Sequence, residues 1–132
     1  MATEIIVNDG GAPSRILPFV ANETIAAGDY VKLHTNGQLQ PCKASGNVGM
    51  GVSLTAATSG NIVNVVTGKG VLLNSFCSGN IAAGAQIFVG DNKMHFMQAD
   101  NLQTRAQAVG TYAETTALTT GDGLVLRKVI LG

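Results

Sequence analysis

The residues able to do chemistry are few and scattered: two cysteines, two histidines and eight acids among 132 residues. A structural or catalytic metal needs three or four converging ligands. His34 and His95 have no second ligand at i+2 or i+4, and Cys42 and Cys77 belong to no C-x-x-C pair. Cys77 could pair with a histidine as nucleophile and base, but Ser75-Phe76-Cys77-Ser78 carries no nucleophile signature. No G-x-S-x-G elbow is present. Gly68-Lys69-Gly70 lacks the spacing of a phosphate loop and precedes no helix that would supply backbone donors. Asp9, Asp29 and Asp122 each adjoin a glycine, a pairing that turn chemistry explains. Two distant carboxylates could still meet as a glycosidase pair. Such a cleft is usually lined by aromatics, and the chain has no Trp, two Tyr and four Phe. The expectation is a protein that is not an enzyme and holds neither metal nor cofactor.

Composition narrows the partners. Charged residues make up 12% of the chain, about half the usual quarter, and the net charge is zero. Eight basic residues balance eight acids with no basic run, which argues against nucleic acid. A neutral, charge-poor surface lacks the self-repulsion that keeps monomers apart, so it suits an oligomer or a larger assembly. Met-Ala-Thr-Glu-Ile-Ile-Val shows no signal peptide, and no run approaches the ~18 apolar residues of a membrane span. The expectation is a soluble product of a cytoplasm with no membrane partner. Cys42 and Cys77 read as buried thiols, with a disulfide between them left open.

The elements that would position these residues are strands. Tyr30, Lys32 and His34 alternate with Val31 and Leu33 ahead of Asn36-Gly37, so 30–35 and 38–42 form a hairpin on a two-residue turn. Further strands are expected at Asn61–Thr67, Val71–Leu73, Gln86–Val89, Met94–Met97 and Leu124–Leu131, with a turn at Gly90-Asp91-Asn92. Residues 100–108 are either a short helix capped by Asp100 or another extended segment.

One β unit is written twice. Ile25-Ala26-Ala27-Gly28-Asp29-Tyr30-Val31 is echoed by Ile81-Ala82-Ala83-Gly84-Ala85-Gln86-Ile87. Met50-Gly51-Val52-Ser53 matches Val109-Gly110-Thr111-Tyr112, and Gly60–Val65 matches Gly121–Leu126, the offset growing from 56 to 59 to 61. His34 and His95 fall in corresponding strands on this reading. The fold expected is all-β, a small pseudo-repeated β-barrel or β-sandwich with a flexible N-terminal arm. Residues 1–15 are the arm. Residues 16–132 form one β domain of two similar halves, about 25–73 and 81–131. Within the arm, Thr3, Glu4, Ile5, Ile6 and Val7 are the candidate contact to a sister subunit or to another surface of a larger assembly. The apolar triplet at 5–7 reads equally as a strand donor on a Gly-rich tether or as an ordinary first strand.

Ala27-Gly28-Asp29-Tyr30-Val31, Gly51-Val52, Ser59–Val65, Gly70-Val71, Ala83–Ile87 and Val109-Gly110, taken in order, resemble the small decoration (cement) proteins of tailed-phage heads. The resemblance spans roughly residues 20–131 and lies in glycine and apolar spacing. It implies a compact β domain, commonly trimeric, bound outside the shell of a virion near threefold positions, with the major capsid protein as partner. The implied role is to clamp neighbouring capsomers of the expanded head against genome pressure. The alternatives are a receptor- or glycan-binding module of a phage tail or cell surface, and a degenerate hydrolase.

Overall fold

Short β-branched runs separated by Gly, Asn and Asp give eleven strands among the described residues. The computed structural model describes residues 5–8, 15–44, 46–90 and 95–132. In chain order the strands are β1 (Ile6–Asn8), β2 (Arg15–Val20), β3 (Tyr30–Leu33), β4 (Leu39–Pro41), β5 (Gly51–Ser53) and β6 (Ile62–Thr67). They continue with β7 (Leu72–Cys77), β8 (Gln86–Val89), β9 (Phe96–Gln98), β10 (Gly110–Tyr112) and β11 (Val125–Leu131). A short α-helix, α1 (Leu102–Ala106), precedes β10.

The strands form two sheets, and each curls onto itself. The first runs β2-β6-β5-β3-β4, and a parallel bridge from Ala21 to Leu39 returns β4 to the end of β2. The second runs β7-β11-β10-β8-β9, and Cys77 pairs in parallel with Phe96 to return β9 to β7. Asn22 N–H donates to Leu39 O at 2.7 Å and Ser78 N–H to Phe96 O at 3.1 Å, the same closing bond in each. Closure is made at one end of each seam, so the remaining length of β2 and of β7 keeps an outer edge that something else must cover or blunt. Strand β1 is added outside the second barrel, on β7.

The two barrels share one connectivity. Strands β2 to β6 correspond in order to β7 to β11, so the ladders divide the chain between Thr67 and Leu72. The offset is 56 at the bridge residues Ile25 and Ile81, 59 at Gly51 and Gly110, and 61 at Ala57 and Leu118. It does not stay at 61. Ser53 pairs with Val65 while Tyr112 pairs with Val129, so the last strands correspond with an offset of 64. The match of Ile62–Val65 to Gly123–Leu126 is therefore corrected. Three residues are extra in the segment that holds the 3-10 turn Thr120–Asp122, and Gly123 takes a φ of 72° on the way back into the strand.

Local turns differ in detail from expectation. Gly37 N–H donates to His34 O at 2.9 Å, Gly37 adopts φ 81°, and His34 pairs with Gln38. The hairpin thus closes on a three-residue loop with glycine in the left-handed position, not on a two-residue turn. His34 follows β3 whereas His95 precedes β9, the counterpart of β4, so the histidines do not correspond. Helix α1 is capped by Asn101 rather than Asp100: Asn101 Oδ1 accepts from Thr104 N–H at 2.9 Å, and Thr104 Oγ1 accepts from Asn101 N–H at 3.0 Å. Residues 91–94, where a turn was expected, lie outside the described residues.

Each barrel has its own apolar filling. Ala21, Ile25, Val31, Leu39, Val63 and Val65 fill the first. Leu73, Cys77, Ile81, Ile87, Phe96, Leu118 and Val129 fill the second, in a cluster that continues through Tyr30, Cys42, Val52 and Val66 into the junction. Tyr30 packs on Phe96 with ring centroids 5.0 Å apart and planes inclined at 51°.

Candidate functional site

The groups that might have done chemistry are built into the scaffold. Both cysteines are free and buried, and burial pushes the thiol of Cys42 up to about 11 and that of Cys77 up to about 12. Neither presents a thiolate near neutral pH, the form a nucleophile requires. Asp29 Oδ2 accepts from Ala26 N–H at 2.9 Å and Asp122 Oδ2 from Thr119 N–H at 3.0 Å, both as turn braces. No group of three or more metal-ligating side chains occurs among the described residues. No helix among them is long and apolar enough to cross a membrane.

One edge is completed in an unusual way. Strand β7 pairs with β11 on one side, and three separate segments satisfy its other side. Asn74 N–H donates to Ile5 O at 2.7 Å, Phe76 N–H to Gly28 O at 3.3 Å, and Ser78 N–H to Phe96 O at 3.1 Å. The first acceptor comes from the N-terminal strand, the second from the other barrel and the third from β9. Ser75 Oγ also donates to Gly28 O, at 2.7 Å. Gly28 is required here for two reasons. Its φ is 97°, and a Cβ there would lie 2.7 Å from Leu126 Cδ2 and 3.4 Å from Phe76 Cε2.

The predicted contact residues divide accordingly. Thr3 and Glu4 lie outside the described residues. Ile5 is 4% exposed and belongs to the core of the second barrel and junction. Ile6 pairs with Leu73 and Asn8 with Leu72, with a bulge at Val7. The segment 5–8 is thus an added strand on its own chain, and no described strand pairs with its outer edge.

A cleft of about 360 Å³ opens between the barrels. Its walls include Met50 and Val109, Gly49 and Ala108, and Gly68 and Gly132, all pairs that correspond in the repeat. Tyr30 closes it from below, its hydroxyl accepting Gly49 N–H at 2.8 Å. Lys69 is the charged side chain in the wall, so the cleft offers apolar contact and one cation but no acid–base pair. Val48 in its wall and Leu33 beside it are exposed. Sequence reasoning missed these apolar surface residues, because alternation alone assigns Leu33 to the side facing inward with Val31.

The architecture defines a class: an all-β protein of two tandem five-stranded barrels of one topology, with an added N-terminal strand. That fold is shared with the head fiber gp8.5 N base of bacteriophage phi29, whose crystal structure superposes with a TM-score of 0.67 at 11% sequence identity. The match covers 91% of this chain and 95% of that one. No protein-family model matches the chain, and no curated protein does.

Proposed function

We propose that the chain is a structural component of a phage head, binding the outside of the expanded capsid and clamping neighbouring capsomers against genome pressure. The observation that carries this reading is the fold shared along nearly the whole chain with the base of a phage head fiber. The glycine and apolar spacing that resembles phage decoration proteins supports it independently. The buried, neutral thiols and the turn-bracing carboxylates are consistent with a role that needs no turnover.

The physics of the role is linkage. A protein that binds only the assembled, expanded shell stabilises that state by mass action. Acting as a homo-oligomer, with a trimer favoured, it multiplies modest contacts to the major capsid protein through high effective concentration. The exposed apolar residues Val48 and Leu33 at the inter-barrel cleft are the contact surface this reading favours. The test is mechanical: cognate heads lacking the protein are challenged by heat and osmotic shock, with and without added purified protein. Restored genome retention is the expected result; unchanged loss would overturn the clamping role.

A further inference from the structure

The contact that joins the two barrels is made once and left unreciprocated. In the first barrel the Ala27-Gly28-Asp29 turn is inserted against the second: Gly28 and Asp29 are buried, and Gly28 O holds Phe76 N–H beneath Phe76 and Leu126. In the second barrel the corresponding turn, Ala83-Gly84-Ala85, makes contacts within its own barrel, where Gly84 N–H donates to Tyr112 O at 3.0 Å and Ala85 packs on the core, and no described residue covers its outer side. Ala82, Ala83 and Gly84 are exposed, and a Cβ on Gly84 would find no atom within 4 Å. The receiving surface has its counterpart too. Phe76 and Leu126 correspond to Val20 and Ile62 through the offsets of 56 and 64 fixed by the ladders. Val20 and Ile62 lie opposite one another on β2 and β6, and Ile62 is 60% exposed. Ala21 N–H points to β6, donating to Asn61 O at 2.9 Å, so Val20 N–H points to the outer edge, as Phe76 N–H does in β7. Among the described residues no carbonyl receives it.

We infer that these two vacant halves meet between copies: the Ala83-Gly84 turn of one chain seats on Val20 and Ile62 of the next, with Gly84 O accepting Val20 N–H. The occupant is a second copy because the chain carries both halves of a contact that it already makes internally. The contact is heterologous, donor turn to receiver edge, so repetition of it closes a ring if the rotation allows and otherwise continues as a filament. The two contacts differ in their side chains: Val20 and Ile62 stand for Phe76 and Leu126, and Phe19 stands for Ser75, whose hydroxyl also reaches Gly28 O, so the contact between copies has one hydrogen bond fewer. This deepens the oligomeric part of the proposed function and rests on it.

The test uses the full chain carrying Ala83→Cys in one preparation and Ile62→Cys in another; both sites are exposed, and the native thiols are buried. With a short bis-maleimide, the mixture should give a covalent dimer while each preparation alone stays uncross-linked. Ile62→Asp should convert the oligomer to a monomer on gel filtration with the melting curve of the monomer preserved. Cross-linking of either single variant to itself, or elution of the wild-type chain as a monomer together with no cross-link in the mixture of the two variants, would overturn the inference. A ring that forms normally but fails to bind heads would refute the capsid role alone. Head binding by a chain that gives no mixed cross-link would refute this contact alone.

Discussion

Pro18 in the first barrel stands where Asn74 stands in the second, and the pair explains why, among the described residues, only one barrel carries an added strand. Asn74 N–H points away from β11 and donates to Ile5 O at 2.7 Å. Pro18 points the same way from β2 but has no N–H to offer, so a strand arriving there finds a donor missing. One barrel covers its outer edge with β1 and the other blunts it with proline, two known defences against edge-to-edge association.

Replacing Pro18 with Thr should therefore open the edge of β2. The folded domain should keep its stability to within ~1 kcal/mol, since one exposed donor is gained and no core contact is lost. Light scattering at rising concentration should show new self-association. A variant as soluble as the wild type would show that the proline guards nothing.

Ile5 anchors β1 from inside. Truncation of a buried Ile to Ala costs about 2–5 kcal/mol. Ile5→Ala should lower the urea midpoint by a corresponding amount. If the loss is independent of protein concentration, β1 packs on its own chain; a concentration-dependent loss would show that the strand is exchanged between copies.

The junction turn offers a sharper contrast. Gly28→Ala combines a left-handed backbone, about 1–2 kcal/mol for a residue with a Cβ, with overpacking against Leu126 of a further ~1–3 kcal/mol. Gly84→Ala has a similar φ of 76° but open space, so only the first cost applies to the isolated chain. Chemical denaturation of the two variants should separate them clearly. Equal destabilisation would contradict the packing at Gly28.

Two carboxylates bend the pH profile in opposite directions. Burial raises Asp29 above the usual carboxylate range, against the opposing pull of Ala26 N–H. The folded state then holds its proton more tightly than the unfolded chain does. Stability from this group is full below the unfolded pKa, about 4, and declines as pH rises through the folded value. Asp29→Asn retains an acceptor for Ala26 N–H and should abolish that decline. Asp122 is lowered by the Thr119 backbone and hydroxyl donors, so its contribution is lost as pH falls. Urea midpoints from acid to neutral pH for D29N and D122N should show slopes shifted in opposite senses.

The repeat was legible because turn chemistry is local: Ile-Ala-Ala-Gly fixes a bend wherever it occurs, and Ile25 and Ile81 form the same bridge in both barrels. The final three-residue shift was not legible. Gly121-Asp122-Gly123 offers two glycines to align with Gly60, and the shift is an odd number, so the alternation matched Val65 to Leu126 on the wrong face. Only the ladder, with Val129 opposite Tyr112, resolves it. The corresponding pair Phe76–Leu126 and Val20–Ile62 was hidden for the same reason. The place of Ile5 was open in sequence because a terminal apolar triplet fits its own sheet or a neighbour's equally well.

The most direct measurement is co-sedimentation of the purified chain with cognate heads stripped of it, before and after head expansion. The account predicts saturable binding to expanded heads alone, in a fixed ratio to the major capsid protein. Failure to bind either form would contradict it, and would turn attention to glycan and receptor ligands.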